Sequence, residues 1–153
     1  MIDKKPHYSF EVSSSKLVYE FESTSDTKTI RKVVIYEKLD DSDDYFHMGF
    51  GDLKSDGKID YLVQSKNKDM NLILSTVVQT MFLFFKHYPH AKVIFTGSNQ
   101  SRTRLYRSII SKFVSEAEQY FEIMGFNENG IQEKFKKNRD YQAFLIYQRY
   151  EEV

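Results

Sequence analysis

Apolar and polar residues alternate through most of the first 64 positions, and the period then lengthens. Tyr8, Phe10 and Val12 share one side of His7–Val12. Leu17, Tyr19 and Phe21 share one side of Lys16–Glu22, and Val33, Val34, Ile35 and Tyr36 fill Thr29–Lys38. Period-2 alternation in β-branched and aromatic residues predicts half-buried strands. Tyr45–Leu53 and Lys58–Gln64 flank Ser55-Asp56-Gly57, and Asp-Gly between alternating runs predicts a hairpin. Gly49 and Gly51 inside the first of these predict a bulge or a close backbone approach.

From Met70 to Tyr88 the apolar residues recur at helical spacing. Ile73, Leu74, Val77, Met81, Phe84, Phe85 and Tyr88 form one arc, with Asn71, Ser75, Thr76, Gln79, Thr80 and Lys86 opposite. This predicts an amphipathic helix on a sheet, capped by Asp69 and ended by Pro89. Lys92–Thr96 is a short buried strand. A second helix starts near Gln100, with Leu105, Tyr106, Ile109, Ile110 and Phe113 on one face. A short helical piece over Val114–Gln119 leads into a strand at Tyr120–Phe126. Ile131–Asp140 is polar and basic, and Tyr141–Tyr150 closes the chain as a strand. Strands before helices predict one α+β domain over residues 1–153, with a loose arm at 1–6. Its sheet is mixed and mostly antiparallel, with about seven or eight strands and two main helices.

Composition narrows the function classes. The 22 basic and 22 acidic residues cancel, which disfavours broad electrostatic binding to nucleic acid or membrane but leaves room for a local patch. Cysteine is absent, and His7, His47, His87 and His90 lack ligand spacing. His87 and His90 flank Pro89, where cations suit a helix C-terminus. Asp40, Asp41, Asp43 and Asp44 do not match a calcium-loop spacing and are read as a solvated loop. The N-terminus carries no apolar run, and Met81–Phe85 is too short to span a bilayer, so the expectation is a cytoplasmic protein without a membrane partner.

One stretch exceeds what a fold requires. Val93–Lys112 reads as a strand, a turn at Gly97-Ser98-Asn99, and a helix that begins with Arg102, Arg104 and Arg107. Such a corner offers free amides and the positive end of a dipole to phosphate or carboxylate. On a helical wheel Arg102 lies amid the apolar face, within about 80° of each of its members, whereas Arg104 and Arg107 point away. An arginine so placed calls for an anion, either a bound ligand or a carboxylate on a neighbouring strand. Gly97, Ser98, Asn99, Gln100, Arg102 and Arg104 are the candidate ligand residues. Arg104, Arg107 and Lys112 make a basic edge, and Lys134, Lys136, Lys137 and Arg139 a second cluster. Convergence of the two would make a surface for nucleic acid or an acidic partner.

The order strand, long helix, strand, helix, strand, strand resembles the second half of a GNAT-type acyltransferase. Asn99, Tyr106 and the pair Gly125-Phe126 carry the likeness. The resemblance implies that Asn99 contacts the pantetheine arm of coenzyme A and that Tyr106 is the general acid. Gln64–Asp69, where that family has a glycine-rich turn, holds no glycine, so the implied enzyme has a degenerate cofactor loop. Splayed parallel strands beside this corner are the architectural mark to look for. TGSNQSRTRLYRSIISK and NRDYQAFLIYQR also resemble an uncharacterised bacterial family of unknown function and similar length. The expected function is binding of an anionic ligand at the corner; the alternatives are the acyltransferase and a protein-interaction module of a bacterial stress or defence system.

Overall fold

A computed structural model describes residues 6–39, 44–60, 69–96, 107, 110–111 and 117–149. The fold is α+β, built on one mixed sheet of nine strands. These are β1 (Phe10–Val12), β2 (Val18–Thr24), β3 (Thr29–Lys38), β4 (Tyr45–Leu53), β5 (Ile59–Asp60), β6 (Lys92–Phe95), β7 (Phe121–Phe126), β8 (Gln132–Lys134) and β9 (Ala143–Gln148). The order is β1-β2-β3-β4-β6-β9-β7-β8, with β5 also on β4. Helix α1 spans Met70–His87. It is the one helix delimited among the described residues, where two were expected. Of the second, residues 107, 110 and 111 are helical, as is residue 117 of the short piece expected at Val114–Gln119, and the rest of 97–116 lies outside the described residues. So do Asp40, Asp41 and Asp43 of the acidic loop and the expected strand residues 61–64. No helix among the described residues is long and apolar enough to cross a membrane.

The chain divides into two compact units, residues 3–37 with 48–88 and residues 38–47 with 89–153. In the first, α1 lies on the face of β2 and β3 that presents Tyr19, Phe21 and Tyr36. The Tyr36 and Phe84 rings stack at 4.2 Å and 8°. The Thr80 hydroxyl donates to the Val77 carbonyl at 2.7 Å, so it accepts from the Tyr36 phenol at 2.9 Å. Thr76 likewise donates to the Leu72 carbonyl and accepts the Tyr8 amide. This corrects the helical wheel: Ser75, Thr76 and Thr80, assigned there to the solvent face, are buried. A threonine that bonds its own helix backbone is a compact, half-apolar side chain, so a hydropathy count misplaces it.

Local bonds also move the strand ends. The Tyr8 amide is taken by Thr76, so β1 begins at Phe10 rather than His7. Lys16 sits in a left-handed turn (φ 64°), and β2 begins at Val18 and runs on to the Ser25–Lys28 turn. Asp69 does precede α1, but its side chain makes no capping bond. The carboxylate instead accepts from Tyr8 and Ser23, tying the helix start to the sheet. Gly51 permits the close approach of β5, since a Cβ there would lie 2.7 Å from the Asp60 carbonyl oxygen.

Sequence pattern gave no warning that Lys32 is interior. It is 2% exposed and ion-paired with the buried Asp52, its ammonium 5.8 Å from the centre of the Phe50 ring. A buried pair is tolerated because each charge neutralises the other, and removing one partner leaves the other stranded. Lys32→Ala is expected to cost about 3–5 kcal/mol in urea unfolding, whereas Lys32→Met with Asp52→Leu stays within about 1 kcal/mol of wild type or exceeds it. Equal losses from both would show that packing, not charge, governs this position.

Burial pushes the phenols of Tyr19 and Tyr36 far above the usual tyrosine range; Tyr88 adds to the first, and the Thr80 hydrogen bond only partly offsets the second. The folded state therefore holds protons that the unfolded chain releases near pH ~10. Their contribution is fully present below that pH and is lost as pH rises beyond it. Urea midpoints should fall steeply above pH ~10, and Tyr36→Phe should flatten that fall. An unchanged slope in the variant would contradict the assignment to Tyr36.

Candidate functional site

The second unit carries the candidate corner. Val93 and Phe95 of β6 face its interior with Phe144 and Ile146 of β9 and Phe121 and Ile123 of β7. β6 runs parallel to β4 over Tyr45–His47 and antiparallel to β9 over its whole length. Phe95 and the exposed Thr96 end the described strand. Gly97, Ser98, Asn99, Gln100, Arg102, Arg104 and Tyr106 all lie outside the described residues, as does Lys112.

Arg107, from the same stretch, is described and half-buried. Its guanidinium donates to the Asp140 carboxylate and, at 3.2 Å, to the Arg139 carbonyl. Arg107 therefore meets the turn between β8 and β9.

That turn is held by Tyr141. β8 and β9 both run antiparallel to β7, on opposite sides of it. The connection from Phe135 to Gln142 must therefore cross a face of β7. Tyr141 lies over Gly125, where a Cβ would come within 2.3 Å of its ring. The phenol donates to Glu133 at 2.8 Å and accepts the Lys136 amide at 2.9 Å. Burial, then the Glu133 hydrogen bond, pushes this phenol up. Phe135 is buried against the Tyr141 and Phe144 rings. Arg139 closes the group on Glu133 at 3.2 Å.

Gly125-Phe126, which carried part of the acyltransferase likeness, thus has a structural duty: the glycine seats Tyr141. Ile131–Asp140, expected as polar and basic chain, contains β8, three residues too polar to show alternation. The closing strand begins at Ala143 rather than Tyr141, because Tyr141 is committed to the crossover and the Gln142 amide bonds the Phe126 carbonyl.

What this turn displays is charge. Lys134, Lys136 and Lys137 are exposed, and their ammonium groups have no partner among the described residues. Both arginines are engaged by carboxylates. Among the described residues no group of histidine and acidic side chains could hold a metal.

A mixed-sheet α+β chain with a braced basic turn is the class defined by these observations. The chain belongs to a family of unknown function, DUF6934, whose model matches residues 4–149. No curated protein matches it, and no solved structure does.

Tyr141→Phe removes one donor and one acceptor from the crossover, and about 1–3 kcal/mol of stability should go with them. Gly125→Ala forces the ring off β7 and should cost at least as much, about 1–3 kcal/mol. Hydrogen exchange should show the Lys136 amide losing protection in both variants. Protection retained in either would mean that the turn is braced from elsewhere.

Proposed function

We propose that the protein binds an anionic ligand, bearing phosphate or carboxylate, at Gly97, Ser98, Asn99 and Gln100, with Arg102 and Arg104 as charged donors. The reading rests on the sequence pattern of a strand, a Gly97-Ser98-Asn99 turn and an expected helix start, whose first amides would lack intrahelical partners. The observation that carries it is the bond from Arg107 to Arg139 and Asp140. It ties the basic turn to Arg107, which follows the corner in the chain, and in this reading an arriving anion meets positive charge from two parts of the chain. The acidic partners of Arg107 and Arg139 fix those arginines, while the unpaired lysines supply the field.

A second reading is the acyltransferase with a degenerate cofactor loop, in which Tyr106 is the acid and coenzyme A the cofactor. It is supported by β4 and β6 running parallel while pairing only over Tyr45–His47 and Lys92–Ile94. A splayed gap between these parallel strands is what that reading further requires. A protein-interaction module draws less support, since Tyr45 and Ile131 are the large apolar side chains exposed among the described residues.

Thermal unfolding with phosphate, sulfate, nucleotides, coenzyme A and acetyl-coenzyme A separates these. At a hundred times the dissociation constant a ligand adds about 2.7 kcal/mol, or roughly 5–10 °C for a chain of this size. The corner reading expects shifts from several phosphate-bearing ligands and their loss in Arg102→Ala with the fold kept. A shift from coenzyme A species alone favours the acyltransferase. No shift from any of them rejects both. An Arg102→Ala chain that unfolds makes that arginine a structural ion-pair partner.

A further inference from the structure

We propose that the turn Lys134–Arg139 is a contact surface for the phosphate backbone of a nucleic acid. The proposal stands on the described residues alone.

The turn is braced before any partner arrives. Phe135 is 5% exposed and its amide bonds the Ile123 carbonyl. The Lys136 amide is held by the Tyr141 phenol, and Asn138 takes a left-handed conformation (φ 65°) that reverses the chain. Arg107 holds the far side through the Arg139 carbonyl. Little ordering entropy is left to lose on binding, apart from that of the lysine side chains themselves.

Its display is specific in kind. With Phe135 turned inward, Lys134 and Lys136 project outward on either side of it, about 6–7 Å apart along the extended chain. Lys137 follows at the start of the reversal. Each guanidinium nearby already gives its Nη1 to a carboxylate, Arg139 to Glu133 and Arg107 to Asp140. What remains is a row of ammonium point charges, which suits the repeating single charges of a phosphate chain. Neither ring of the turn is available to stack on a base, because Phe135 and Tyr141 are both buried. The contact is therefore with phosphates, indifferent to base sequence, and confined to a few of them by the zero net charge of the chain.

Fluorescence anisotropy of a labelled single-stranded DNA of mixed sequence, titrated with the full chain, reads this directly. Three phosphate contacts give a slope of log K against log salt of about −2, so affinity should fall roughly twentyfold between 50 and 200 mM salt. Strands of different base composition should bind alike. Lys134→Glu, Lys136→Glu and Lys137→Glu together should abolish binding with an unchanged circular dichroism spectrum, and the three Lys→Gln changes should weaken it by a smaller factor. The proposal is overturned by absence of binding at 50 mM salt, or by a triple charge reversal that binds as wild type. It is also overturned if polyglutamate displaces the DNA at equal charge concentration, which would mark the turn as a surface for acidic protein.

Discussion

The contact between Tyr141 and Gly125 governs the second unit. Two strands flank β7, and the chain must pass from one to the other across its face. That crossing leaves no room for a side chain on β7 at the point of passage, and Gly125 provides the gap. Once seated, the phenol fixes Glu133 and the Lys136 amide. Glu133 in turn fixes Arg139, whose carbonyl receives Arg107. A basic turn that would otherwise be solvated chain becomes a shaped surface tied to Arg107.

The first unit solves a different problem. Its helix presents hydroxyls as well as rings to the sheet, and each described hydroxyl at Thr76 and Thr80 is both donor and acceptor. Buried polar groups that are fully bonded specify one register of helix on sheet, because sliding would break several bonds at once. Lys32 and Asp52 add a charged version of the same device. Ser75 is the exception, its hydroxyl buried without a partner among the described residues.

Much of this fold was legible in the sequence. The alternation at Tyr19 and Phe21, the run Val33–Tyr36 and the apolar arc from Ile73 to Phe85 each marked an element in the structure. Elements were missed where the signal lay outside their own residues. β8 is polar and exists because β7 offers it an edge. Lys32 reads as a surface lysine and is interior only because Asp52 stands on another strand. Tyr141 looked like the first residue of a strand, and only the crossover reveals its role. The candidate corner, a turn followed by arginines, lies outside the described residues, and the partner of Arg107 is 33 residues away, where no local pattern announces it.

Arg107 is bonded to the braced basic turn, and the corner proposed to accept anions precedes it in the chain. A titration of isotopically labelled protein with inorganic phosphate, followed by amide chemical shifts, tests the link between turn and corner most directly. Shifts concentrated at residues 97–107 and, more weakly, at 134–140 are the predicted result. Shifts spread thinly over the surface lysines, or centred on the first unit, would contradict it.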